Sequence, residues 1–200
     1  MNSRRQLIWS LLSAGFLSAC AVPSARLGDG LALATDTGGP DTFDLVARFS
    51  VQLLAAAGEE GGRQFSGRLE WQHGRAGDRL LFSDPLGQGV AELQRPQQGA
   101  VVLQLADGSR RESSDPDQLL AEVLGVALPL DELSAWVQAR PGPGALVEPD
   151  AQGRPWRVRE SGWLLTYHYG DGARLPSRLD ASLDGVLKLR LSMESWESLP

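Results

Sequence analysis

Between Phe43 and Trp196 apolar residues recur at every second position, except between Leu119 and Val137, where they recur at helical spacing. A strand turns successive side chains to opposite faces, so this pattern describes half-buried strands interrupted by one helical insertion. Leu45, Ala47, Phe49, Val51 and Leu53 share a face, with Arg48, Ser50 and Gln52 on the other. Phe65, Gly67, Leu69 and Trp71 alternate in the same way after the glycine-rich turn Gly58 to Gly62. Further strands are expected near Arg79 to Ser83 and Gly89 to Gln94, and at Val101 to Leu105, which ends on the hairpin dipeptide Asp107-Gly108. Ser113-Ser114-Asp115-Pro116 then offers helix N-cap candidates and a proline suited to the first turn. Leu119, Leu120, Val123 and Leu124 follow at helical spacing, and Gly125 is a natural stop. Pro129 opens a second helix with Leu130, Leu133, Trp136 and Val137 on one face, and Pro141-Gly142-Pro143-Gly144 ends it. The period then returns to two through Trp156 and Val158, Trp163 to Tyr169, and Leu187 to Met193.

Strands on both sides of a short helical insertion imply a largely antiparallel sheet, apolar on the side where the helices pack. A sheet of about nine or more strands tends to curl, and two short helices leave its concave face open to two outcomes: an apolar cavity or a fully packed core.

The N-terminus carries a different signal. Arg4 and Arg5 precede a short apolar run, Leu7 to Phe16, and Leu17-Ser18-Ala19-Cys20 places small residues before the only cysteine of the chain. This is the pattern of a removable leader, residues 1–19, with Cys20 as the lipidated first residue of a bacterial lipoprotein. The run is too short to span a bilayer. Removing it leaves about 180 residues, the size of one domain, and discards two positive charges from a chain whose formal net charge is already −6. An acidic chain of this kind gains nothing from counterion release, so no nucleic-acid partner is expected. The two residues directly after Cys20, Ala21 and Val22, include no aspartate, which favours the outer over the inner membrane. Residues 20–41 are rich in Ala, Ser, Gly, Thr, Pro and Asp and read as a lipidated tether, leaving 42–200 as the folded domain.

Catalytic signals are scarce. His73 and His168 are not spaced as a metal pair, nucleophile elbows are absent, and Glu59-Glu60 and Asp131-Glu132 read as solvated charge. No enzymatic role, metal or cofactor is expected beyond the covalent acyl group on Cys20. The segment with an unusual signature is Asp84-Pro85-Leu86-Gly87, whose residue types suit a type I turn with leucine at its third place. Leu86 either folds back over neighbouring strands or stands out as an apolar probe for lipid. Trp71, Trp136, Trp156, Trp163 and Trp196 are core residues or pocket walls, and Arg48 and Arg68 read as solvated.

The order of these features resembles the LolB family of outer-membrane lipoprotein receptors. The likeness rests on the opening strand Phe43 to Leu53, the run Phe65 to Gln72, the Asp84-Pro85-Leu86-Gly87 turn, Leu124-Gly125 before Leu128-Pro129-Leu130, Leu133 to Trp136 before a proline-glycine stretch, and the closing Leu187 to Trp196 strand. The tether and the Leu146 to Pro155 connection match poorly. The resemblance implies an unclosed antiparallel β-barrel of about nine to eleven strands, with short α-helices as a lid over an apolar cavity. It implies a periplasm-facing, lipid-anchored monomer of the outer membrane that takes lipoproteins from the carrier LolA and places their acyl chains in outer-membrane lipid without nucleotide. It assigns Leu86 to the membrane-insertion step, with Asp84, Pro85 and Gly87 forming its loop, and Cys20 to lipidation. Phe49, Val51, Leu69, Trp71, Leu103, Leu120, Leu124, Trp136, Leu165 and Leu189 are the inward positions expected to line the cavity. The competing expectation is a lipid-anchored envelope scaffold whose core is packed.

Overall fold

A computed structural model describes residues 32–33, 42–54 and 62–197. The expected leader, Cys20, most of the tether and most of the Gly58 to Gly62 turn lie outside the described residues. The strands are β1 (Ala32–Leu33), β2 (Phe43–Leu53), β3 (Gln64–Gly74), β4 (Gly77–Ser83), β5 (Gly89–Pro96), β6 (Val101–Leu105) and β7 (Arg110–Ser113). The helices α1 (Pro116–Leu124) and α2 (Leu130–Trp136) follow, then β8 (Leu146–Pro149), β9 (Pro155–Glu160), β10 (Trp163–His168), β11 (Arg178–Leu183) and β12 (Leu187–Glu197).

All the pairings are antiparallel, in the order β1-β8-β9-β10-β11-β12-β2-β3-β4-β5-β6-β7. The sheet does not close on itself, since β7 and the two-residue β1 are its edges among the described residues. Eleven strands, β2 to β12, with the two-residue β1 added at one edge, agree with the half-barrel expected above. The core follows the alternation: Phe43, Leu45, Ala47, Phe49 and Val51 of β2 are buried, as are Leu69 and Trp71 of β3 and Leu187, Leu189 and Leu191 of β12.

The insertion sits where the period changed. Asp115 caps α1, its carboxylate accepting from the N–H groups of Asp117 and Gln118, and Pro116 opens the first turn. Gly125 ends the helix in the left-handed region, φ 76°, and donates its N–H to Ala121 O. Both helices turn their apolar side to the sheet: Leu119, Leu120 and Leu124 from α1, and Leu130, Leu133 and Trp136 from α2, are buried. One polar tie joins the two, Leu130 N–H donating to the Asp117 carboxylate at 3.0 Å.

Three features depart from the sequence reading. Strands β7, β8 and β11 were not legible, the first being a short charged run, Arg110 to Ser113, the second lying between prolines, and the third, Arg178 to Leu183, carrying Asp180 and Ser182 between few large apolar residues. Trp156 shares the face of Val158 by alternation yet is 40% exposed, because it sits near the end of a strand close to the sheet's edge. Arg48 and Arg68 are not free on the outer face: both reach Glu194, at 2.7 and 2.8 Å.

Candidate functional site

The concave face and the two helices enclose a slit of about 20 Å³. Its walls are entirely aliphatic or aromatic: Phe49 and Val51 of β2, Leu69 of β3, Leu80 and Phe82 of β4, Leu189 and Leu191 of β12, Leu120 and Leu124 of α1, Leu128 of the connection and Leu133 of α2. Of the ten positions expected to line a cavity, Phe49, Val51, Leu69, Leu120, Leu124 and Leu189 meet there. Trp71, Leu103, Trp136 and Leu165 are buried elsewhere in the same core. Leu80, Phe82, Leu128, Leu133 and Leu191 are the neighbours that sequence reasoning did not single out. Leu80 and Phe82 were in reach of it, since they continue the alternation of β4 opposite Trp71 and Leu69.

The slit holds about one water-sized molecule, far short of a hydrocarbon chain. Among the described residues the wide void raised as one outcome is therefore absent in this conformation, because the leucines of α1, α2 and the connection occupy the concavity. Larger recesses of about 960 and 1140 Å³ exist, but they are open and carry charged groups, Arg140, Arg154 and Asp171 in one and Asp78, Arg79 and Arg95 in the other. Size alone does not mark the apolar site.

What holds the helices down is mostly apolar contact with few polar ties. Arg95 of β5 donates to Asp131 at the start of α2, and Trp136 Nε1 donates to Glu160 Oε2 at 3.0 Å at its end. Arg95 is itself fixed from behind. Its Nε lies 2.8 Å from Asp78 Oδ2 and its Nη2 2.5 Å from the same atom. The other oxygen of Asp78 accepts from Trp71 Nε1 at 2.8 Å and meets His73 Nδ1 at 2.6 Å. Burial pushes the Asp78 carboxyl up, but the hydrogen bonds from His73 and Trp71 and the charge of Arg95 outweigh it and hold the group below the usual aspartate value. No local sequence signal marks this cluster, which joins residues 71, 73, 78, 95 and 131.

The second part of the site is the β4–β5 turn. Gly87 N–H donates to Asp84 O at 2.9 Å, the closing bond of the expected turn, and Gly87 has φ +87°. Asp84 N–H donates to Gln88 O at 2.8 Å across the base. Leu86 is 85% exposed, the most exposed large apolar side chain among the described residues. The turn is seated on β3, where Gly67 permits the approach: a Cβ there would lie 2.1 Å from Ser83 O.

Among the described residues no cluster of His, Cys, Asp or Glu could hold a metal ion, and no helix is long and apolar enough to cross a membrane. Comparison with known proteins points one way. Residues 41–196 match the family model described as Outer membrane lipoprotein LolB. The chain is 38% identical to the outer-membrane lipoprotein LolB of Azoarcus sp. over 205 residues, covering 100% of both chains. It is 39% identical to that of Dechloromonas aromatica over 79% of this chain and 83% of the relative. With that of Thiobacillus denitrificans it shares 43% identity over 80% and 82%. A looser likeness, 11% identity and TM-score 0.47, is to the crystal structure of a LolA superfamily protein from Nitrosomonas europaea, covering 82% of this chain and 89% of that one.

Proposed function

The chain belongs to the LolB family of outer-membrane lipoproteins, non-enzymatic receptors for lipoproteins delivered by LolA, and we propose that it does this work through two parts, the apolar slit and the Leu86 turn. In this reading the leader is removed, Cys20 carries the acyl anchor, and residues 20–41 tether a domain facing the periplasm.

The energetics favour a sheltered transfer. Exposing three acyl chains of about sixteen carbons would cost on the order of 40 kcal/mol at ~0.8 kcal/mol per methylene. For the chains to enter, α1, α2 and the connection at 125–129 lift from the sheet, and hydrocarbon takes the places of Leu120, Leu124, Leu128 and Leu133. Apolar contact is non-directional, so this exchange replaces one greasy surface by another and needs no nucleotide. The lid is suited to it because so few directional bonds hold it, notably Arg95 to Asp131 and Trp136 to Glu160.

Release is assigned to Leu86. A leucine that is 85% exposed at the tip of a hydrogen-bonded turn is the observation that carries this reading, since nothing in the domain's own packing requires it there. Replacing Leu86 with Glu leaves uptake of lipoprotein from the carrier intact and slows its insertion into liposomes. Unchanged insertion would remove Leu86 from the mechanism. A packed-core scaffold would instead take up no lipoprotein from the carrier.

A further inference from the structure

Five large apolar side chains are exposed among the described residues: Leu86, Val90, Leu146, Trp156 and Val186. The strand register places four of them at one end of the half-barrel. Residues Leu146, Arg159, Leu164, Ser182, Lys188, Gln52 and Gln64 follow one another across the paired strands at a single level. Ser83, paired with Arg68, sends the Leu86 turn toward that level, and Val186 O accepts from Leu54 N–H just beyond it. Trp156 lies at the opposite end of β9.

Two of these tips have a cation beside them. Leu146 is the direct cross-strand partner of Arg159, and Val186 stands two residues before Lys188 on the same strand end. Neither Arg159 nor Lys188 has an ion-pair partner among the described residues, and Leu146, Trp163, Leu183, Arg159 and Lys188 border one recess of about 570 Å³. Among the described residues the carboxylates at this end are mostly engaged: Asp84 and Asp107 by their own turns, Glu160 by Trp136 and Gly142, leaving Asp184. An apolar tip flanked by a long cationic side chain suits the bilayer interface, where the tip enters the acyl boundary and the cation stays with phosphate.

We propose that the whole rim carrying Leu86, Val186 and Leu146 rests on the lipid surface, with Lys188 and Arg159 contacting anionic headgroups, so that Leu86 enters the bilayer from a seated domain. The proposal rests on the reading above that Leu86 meets the membrane. It extends the contact from one turn to three points on separate strand connections, which fixes the orientation of the half-barrel as well as its attachment.

The full lipidated protein in vesicles of phosphatidylethanolamine and phosphatidylglycerol tests it. Because the native cysteine is acylated, a cysteine introduced at position 146, 156 or 186 can be labelled with an environment-sensitive dye and exposed to lipids bearing a nitroxide quencher. Dyes at 146 and 186 are expected to be quenched several-fold more than the dye at 156. Lys188→Gln with Arg159→Gln reduces that quenching where phosphatidylglycerol is present and not on phosphatidylcholine alone. The double variant Leu146→Glu, Val186→Glu slows insertion several-fold while uptake from the carrier is unchanged. Equal quenching at all three positions overturns the proposal, and so does quenching at 146 and 186 that arises only from contact with the added carrier. If Leu86→Glu slows insertion and the double variant does not, the rim fails and the Leu86 reading stands; if Leu86→Glu has no effect, the reading beneath it has failed.

Discussion

The Asp84 carboxylate accepts the Leu86 N–H at 2.8 Å, and the same oxygen accepts Gln88 N–H at 2.9 Å. One side chain thus fixes the backbone on both sides of the exposed leucine. An apolar tip on a preset turn meets a lipid surface without first losing the conformational freedom of a floppy loop. Asp84→Ala removes both bonds while keeping Leu86. Insertion into liposomes is expected to slow several-fold with carrier-dependent uptake unchanged. Wild-type insertion rates would mean the turn needs no bracing.

The Arg95–Asp131 pair separates lid closure from stability. The Asp131 side chain is 81% exposed, so losing the pair by Asp131→Ala costs under about 1 kcal/mol. It frees the start of α2, and binding of an apolar fluorescent dye rises. Arg95→Ala gives a different outcome, because it strands Asp78 in the interior and costs roughly 3–5 kcal/mol. Chemical denaturation and dye titration of the two variants check this, and equal behaviour would contradict it.

Asp78 sets an acid limit. Its folded value lies below the ordinary aspartate value of 3.8, so its ionised form stabilises the fold fully above about pH 4. That contribution is lost as the pH falls through the depressed folded value. Asp78→Asn should therefore lower the denaturation midpoint at pH 7, and the gap to the wild type should narrow at about pH 3. A gap that is constant with pH would show that the carboxylate's charge is immaterial.

Half of this arrangement could be read from the chain before any coordinates. The Leu86 turn was legible because Asp84, Pro85 and Gly87 state their preferences locally. The two helices were legible from the Asp115 cap and Gly125 stop. Alternation told which side of each strand faces inward but not how far along it the helices press. Trp71 and Leu69 share a face of β3, yet Leu69 meets the slit while Trp71 hydrogen-bonds to Asp78. The Asp78, Arg95 and Asp131 contacts were beyond reach, since they join three separate elements. The size of the void was equally so, because it depends on where Leu128 and Leu133 settle.

Shape and polarity of the slit make separable demands. Leu133→Met keeps volume and apolarity, costs under about 1.5 kcal/mol and preserves uptake. Leu133→Asn buries an amide among Phe82, Leu120 and Leu189 and costs about 1–3 kcal/mol if the amide finds no partner. It also weakens retention of lipoprotein. Thermal denaturation and uptake from the carrier measure the two effects, and loss of uptake in the methionine variant would contradict non-directional binding.

The central claim is that acyl chains take the place of the lid leucines against the sheet. Photo-cross-linking groups at Phe49 and Leu189, inside the slit, and at Ser50 and Arg190, on the outer face of the same strands, test it during transfer from loaded carrier. The account predicts adducts to the lipoprotein's acyl chains from the two inner positions alone. Transfer that proceeds with no adduct at Phe49 or Leu189, or with adducts at Ser50 and Arg190, would contradict it.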